Sequence, residues 1–113
     1  MIQPGLGEIW QADLNPTRGH EQQGRRPCLI VSVDTFNSGP ADLVIVIPIT
    51  GTERGIPFHV EISPPEGRLA KRSFAKCEDV RSISKERLRG RIGTVANTTM
   101  EKVKDRLRIL MDL

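Results

Sequence analysis

Apolar residues in this chain come in short runs cut apart by Gly, Pro, Asn and Ser, and only the last sixteen residues depart from that pattern. The longest run, LVIVIPI at 43–49, has seven residues. That is the length of a buried strand and far below the roughly 18 residues of a membrane-spanning helix. Segments 8–14, 28–33 and 43–49 are rich in Ile, Val and Leu and read as strands. FHVEI at 58–62 alternates, with Phe58, Val60 and Ile62 on one face. Two further strands are expected at 73–80 and 91–95, and a single helical turn at 84–88 with Ser84 as its cap.

The closing segment changes period. Thr98 stands three residues before Glu101, a capping-box spacing. Met100, Val103, Leu107, Leu110 and Met111 then fall on one helical face, with Lys102, Lys104, Arg106 and Arg108 on the solvated remainder. About six short strands and one terminal helix predict a mainly β fold. The expected form is a compact antiparallel sheet that closes on itself, with the C-terminal α-helix laid against it. With 113 residues the chain suits one domain spanning 1–113.

Two cysteines, Cys28 and Cys77, are too few for a disulfide framework and form no CxxC pair; both read as core residues. His20 and His59 lack metal-ligand spacing. No basic-then-apolar leader opens the chain. The expectation is a reduced, cytoplasmic domain without membrane association, metal or cofactor. The net charge of +3 hides an asymmetry: residues 1–60 carry four basic and six acidic side chains, residues 61–113 thirteen and eight. Nine basic groups against three acidic ones lie between Arg68 and Arg91, a stripe that suits a polyanion or is simply solvated. Four aromatic residues, none of them Tyr, disfavour an RRM-like stacking sheet.

Two polar connections are long for so small a domain, at 16–27 and at 63–72. The first packs His20, Glu21, Gln22, Gln23, Arg25 and Arg26 between glycines: an acid–base pair, amide hydrogen bonders and two guanidinium forks. Arg26 precedes Pro27 and the CLIV strand, so its backbone is rigidly held, as a phosphate clamp requires. Thr50 ends the 43–49 strand beside Gly51, where a hydroxyl donates to a phosphate or caps the turn. Strand alternation turns one of Glu78 and Asp79 inward, near Lys76 and Arg81, as a base or as a salt bridge.

These residues carry a resemblance. GEIWQADLNPTRGHEQQGRRPCLIVSVDTFN resembles the N-terminal signature of the MazF/PemK/Kid toxins, followed in order by IPIT, FHVEI, SFAKCEDVRSISKERL and the closing helix. The resemblance implies a small SH3-like barrel acting as a homodimer, and a ribosome-independent endoribonuclease that cuts single-stranded RNA at short sequences without a metal. A cognate antitoxin with an acidic, disordered tail is the implied partner. Arg26 and Thr50 match the arginine and hydroxyl residue at the scissile phosphate. His20, Lys76 and Glu78 match the catalytic histidine, basic and acidic residues of one branch, which carries arginine and aspartate at the latter two. Where the family has glutamine, this chain has Asp79.

The implied reaction is attack by the 2′-hydroxyl on the adjacent phosphate, leaving a 2′,3′-cyclic phosphate and a 5′-hydroxyl. Arg26 stabilises charge, Thr50 hydrogen-bonds phosphate, Glu21 orients, and Glu78 is the base with His20 or Lys76 as donor; His20 and Glu78 can exchange roles. RNA contacts are assigned to Gln22, Gln23, Arg25, Lys71, Arg72 and Asp79. The alternative is a non-enzymatic toxin on the same barrel that poisons DNA gyrase, as CcdB-type proteins do. That group is not defined by the GHEQQGRRP loop.

Overall fold

The computed structural model describes residues 3–15, 19 and 24–113. His20, Glu21, Gln22 and Gln23 lie outside the described residues. Seven strands are β1 (Glu8–Asp13), β2 (Arg25–Ile30), β3 (Leu43–Thr50), β4 (His59–Ile62), β5 (Ser73–Lys76), β6 (Arg81–Ser84) and β7 (Leu88–Thr94). Helix α1 (Asp34–Asn37) follows β2, and α2 (Asn97–Met111) ends the chain. The sheet is antiparallel throughout, in the order β4-β5-β3-β2-β1-β7, with β6 added to β3. The fold is thus mainly β with one C-terminal helix, as expected.

Closure is not achieved by a ladder: β4 and β7 are the two ends of the hydrogen-bonded path among the described residues. A 3₁₀ turn at Glu66–Arg68 is pressed onto β7 instead. A Cβ at Gly93 would lie 2.4 Å from the Gly67 carbonyl oxygen, so this contact is backbone on backbone.

β3 organises the sheet because its side chains are buried on both faces. Val44 and Val46 join Trp10, Ala12, Leu14, Cys28, Ile30 and Ile83 in one cluster. Ile47 and Ile49 join Ile9, Leu29, Val60, Ile62 and Val103 in the other. Its two edges are filled differently. β2 pairs with Val46 to Pro48 on one edge, while β6 takes Leu43 to Val46 and β5 takes Ile49 and Thr50 on the other. Val46 faces Arg81 and Ile49 faces Ala75. Three residues on β3 therefore answer to six on the partner, and three are looped out. These are Cys77–Asp79, a 3₁₀ turn. The strand expected at 73–80 is for this reason two strands with a turn between them.

β2 begins at Arg25 and stops at Ile30, earlier than the expected 28–33. Fully buried Asn37 draws the following segment away: its amide donates to the Pro4 carbonyl (3.1 Å) and the Ser32 carbonyl (3.0 Å), and Ser32 Oγ donates back to it. The turn expected at 84–88 is present at Lys85–Arg87, with Ser84 Oγ accepting from the Glu86 N–H.

Helix α2 differs from expectation at both ends. No side chain of its own caps it. Glu66, thirty residues upstream, accepts from the Ala96 N–H at 3.0 Å and from Thr99 Oγ1. The capping box fails because a carboxylate on the 63–72 connection already occupies the helix N-terminus, where negative charge is favoured. At the other end Met100, Val103 and Leu107 pack on the sheet, but Leu110 and Met111 are exposed. The helix outruns the sheet by its last turn. Arg106 ties it down, donating to the Pro57 carbonyl at 2.9 Å.

Replacing Glu66 with Ala should therefore lower unfolding free energy by about 1 kcal/mol or more. Glu101→Ala should stay within about 0.5 kcal/mol of the parent. Urea unfolding of both variants separates this cross-chain cap from a capping box, which reverses the ranking.

Candidate active site

Directly opposed residues in a sheet share a face, so the registers locate the candidate side chains. Cys28 faces Pro48, the last pair of the β2–β3 ladder; Arg26 lies two residues beyond it on β2 and Thr50 two residues beyond it on β3. Thr50 faces Phe74, and Phe74 faces Glu61. Thr50, Phe74 and Glu61 thus form one row across β3, β5 and β4, and strand alternation puts Arg26 on the same face, past the end of the β2–β3 ladder. A second row on that face holds Lys76 opposite His59. Residues of four strands, β2 to β5, are thus brought to one polar strip near the start of β2 and the end of β3.

Each member is held by a local device. Arg26 sits beside Ala12 on β1 with its side chain exposed. Thr50 is buried, and its Oγ1 accepts from the Thr52 N–H at 3.2 Å. That bond caps the turn, with the hydroxyl oxygen as acceptor. Gly51 is a close approach: a Cβ there would lie 2.6 Å from Lys71 Cε and 2.7 Å from its Nζ. The Lys71 ammonium therefore lies over the chain next to Thr50.

The looped-out turn presents both carboxylates. Asp79 is the inward one, 2.8 Å from Arg81 and 3.9 Å from Lys76. Glu78 points the other way and meets His59, its Oε2 at 2.8 Å from Nε2. Simple alternation does not govern this pair, because a 3₁₀ turn replaces the strand. The His59 side chain is only 3% exposed, and its Nδ1 has no hydrogen-bond partner among the described residues.

His59 and Glu61 were assigned no role from sequence, although a signal exists. FHVEI places Phe58, Val60 and Ile62 in the core, which obliges His59 and Glu61 onto the opposite face with Thr50 and Lys76. Arg72 also takes an unexpected part. It binds Glu53 at 2.9 Å and Glu61 at 2.8 Å while its guanidinium lies 5.1 Å from the Phe74 ring centre. The Arg72 hydrogen bonds, with help from Ser63, pull the Glu61 carboxyl down to about 2. Arg72 is thereby neutralised within a net-negative triad.

The same holds more widely along the basic stripe. Arg72, Lys76, Arg81, Lys85, Arg89 and Arg91 all lie within ion-pair distance of a carboxylate. Arg87 spends its guanidinium on the Asp13 and Asn15 carbonyls at the stem of the 16–23 connection. Arg25 is exposed at the start of β2. Cys28 and Cys77 are buried as expected, and desolvation pushes each thiol up to about 12. Among the described residues no group of three or more His, Cys, Asp and Glu is arranged to hold a metal ion. Nor is any helix there long and apolar enough to cross a membrane.

Residues 6–111 match the family model described as PemK-like, MazF-like toxin of type II toxin-antitoxin system. The chain is 36% identical over 112 residues to endoribonuclease MazF9 of Mycobacterium tuberculosis, with 95% of each chain covered. Among solved structures it is similar to MazF of Deinococcus radiodurans, at a TM-score of 0.89 and 25% identity, with both chains covered in full. It is also similar to an endoribonuclease in complex with its cognate antitoxin from a mycobacterial species. There the TM-score is 0.80 at 26% identity, covering 97% of this chain and 96% of the other.

The lowered Glu61 carboxyl makes a pH test. A depressed folded-state pKa adds stability above the unfolded value, near 4.5, and that contribution is lost as pH falls toward 2. Glu61→Gln should remove this part of the acid limb between pH 4.5 and 2. Thermal melts across that range check it, and an unchanged limb would dissociate Glu61 from Arg72 in solution.

Proposed function

This chain belongs to the PemK-like, MazF-like toxin family of type II toxin–antitoxin systems, and on that premise we propose how it acts. It is a toxin endoribonuclease. The finer reading is metal-independent, sequence-specific cleavage of single-stranded RNA to 2′,3′-cyclic phosphate and 5′-hydroxyl ends. What supports it is that Arg26 and Thr50 both lie just past the last β2–β3 pair, Cys28 and Pro48, on one sheet face, with Lys71 folded over Gly51 next to Thr50.

Phosphodiester transesterification needs a proton acceptor for the 2′-hydroxyl, a proton donor for the 5′-oxygen, and positive charge on the phosphorane. Arg26 supplies a planar, permanently charged fork. Thr50 donates a hydrogen bond from a turn that fixes its rotamer, and Lys71 adds charge at the same strand end. Glu78, outside the ion-pair cluster of Asp79, is the base of this reading, with Lys76 or His20 protonating the leaving oxygen. His20 and Glu21 act from the connection between β1 and β2. The 2′ O–H bond breaks to the base, the 2′ O–P bond forms, and the P–O5′ bond breaks with protonation of the 5′ oxygen. Charge comes from side chains, so no metal enters the scheme.

Gln22, Gln23, Arg25 and Arg72 complete the RNA contacts of this reading. Asp79 acts differently from a base-reading group: it organises Lys76 and Arg81. The partner chains are a second copy and a cognate antitoxin whose acidic, disordered tail covers the RNA groove. The exposed Ile109, Leu110, Met111 and Leu113 on one protomer are consistent with further burial in an assembly. The place of action is the cytoplasm, where RNA and antitoxin are made.

Arg26→Ala and Thr50→Ala should each lower kcat about 10²–10³-fold with the fold intact by circular dichroism. Arg26→Lys should recover little, since an ammonium lacks the fork. Parental rates for Arg26→Ala would remove the phosphate-clamp assignment. Cleavage should persist in excess EDTA and stop at a single 2′-deoxy substitution at the cut site, with a cyclic phosphate found by mass spectrometry. Loss of activity on chelation, restored by Mg²⁺, contradicts the scheme.

A further inference from the structure

Along the Thr50–Phe74–Glu61 row lies a cavity of about 200 Å³, lined by Glu53, Arg54, Ile56, His59, Glu61 and Phe74. It is smaller than the roughly 300–1,000 Å³ of drug-sized ligand sites and suits one flat heterocycle. Its position follows from the registers. Phe74 and Glu61 are the next two members of the row that starts with Thr50. A phosphate held at Thr50 therefore has the cavity one to two strands away, the reach from a nucleotide's phosphate to its base.

The polar lining is almost entirely of one kind. Glu61 accepts from Ser63 Oγ and twice from Arg72, so it is nearly saturated. Among the described residues Glu53 accepts the two Arg72 bonds, at 2.9 and 3.3 Å, which leaves about two of its four acceptor positions on that count. Arg72 bridges the two carboxylates and holds them in place. His59 Nε2 is engaged by Glu78 at 2.8 Å, and its Nδ1, on a side chain 3% exposed, has no partner among the described residues. Phe74 and Ile56 supply apolar walls. The opposing donor is Arg54, whose fork matches ring nitrogen and carbonyl acceptors.

We propose that this cavity is a nucleobase pocket that reads one base next to the cleaved phosphate. It selects a base bearing an exocyclic amine and rejects uracil. The selection is acceptor against donor: the carboxylates welcome N–H groups and repel the two carbonyls of uracil. Guanine fits best, because its N1–H and N2–H₂ are adjacent donors for the free side of Glu53 while O6 and N7 face Arg54. The proposal rests on the RNA-cleaving reading for its biological meaning, but the pocket can be tested apart from cleavage.

The test titrates the whole protein with 5′-GMP and, separately, 5′-UMP, following the His59 ring and Phe74 by NMR. GMP should shift both, and UMP should shift neither at the same concentration. Glu53→Gln should weaken GMP binding on the order of tenfold, while Phe74→Leu keeps an apolar wall and separates pocket chemistry from folding defects. Equal responses to GMP and UMP, or GMP shifts that survive Glu53→Gln unchanged, overturn the pocket. Cleavage of a randomised RNA pool then supplies the second arm. Cuts with no preference for amine-bearing bases beside the break also overturn it. GMP binding in a protein that cuts no RNA leaves the pocket standing and removes the endoribonuclease reading instead.

Discussion

A strand buried on both faces must also find hydrogen bonds along both edges, and β3 (Leu43–Thr50) meets that demand with three partners. No other element touches as much of the molecule. Because β6 and β5 share one of its edges, the chain between them is forced off the sheet at Cys77–Asp79. Pro48, which has no N–H to offer, stands where β3 passes from one neighbour to the next. Thr50 sits at the last position of the same strand. The cations, the hydroxyl and the two carboxylates of the site are all consequences of how this one strand is saturated.

Charge follows a similar logic. In sequence the acidic excess lies in the first half of the chain and the basic excess in the second. Folding lays one on the other: Lys85 lies near Asp42, Arg89 near Asp13, Arg91 near Glu8 and Arg72 against Glu53. Such exposed pairs contribute little stability each. Their effect is on the field, since a stripe that reads as a polyanion surface is largely neutralised in place. Lys71 lies over the chain next to Thr50, and charge at one strand end favours a local grip on a few phosphates over a broad, sequence-blind one.

The sequence made the strands legible wherever side-chain alternation or an unbroken apolar run stood alone, as at β1, β3 and β4. It also gave Arg26 and Thr50 a reason to be singled out, from Pro27 and Gly51 beside them. It failed where the decisive partner is far along the chain. Nothing near Thr98 announces that Glu66 will take the helix N-terminus, and nothing near Asp34 announces that Asn37 will fasten to Pro4 and Ser32. The strand expected at 73–80 misled for a related reason: no Gly or Pro breaks the segment, and only the register of β3 shows three residues are surplus. His59 was hidden by its neighbours, whose clear alternation drew attention to the face it does not share.

The three-residue turn at Cys77–Asp79 has an arithmetic consequence for the family's drift. Strand faces alternate with period two, so losing or gaining one residue there would turn Ile83 out of the core and Ser82 into it. Substituting one side chain for another leaves that phase untouched. The turn is therefore rigid in length and permissive in content, a socket of fixed bore that accepts different fittings. Glu78 and Asp79 can be exchanged for other side chains at the edge of the site while the scaffold beneath stays in step.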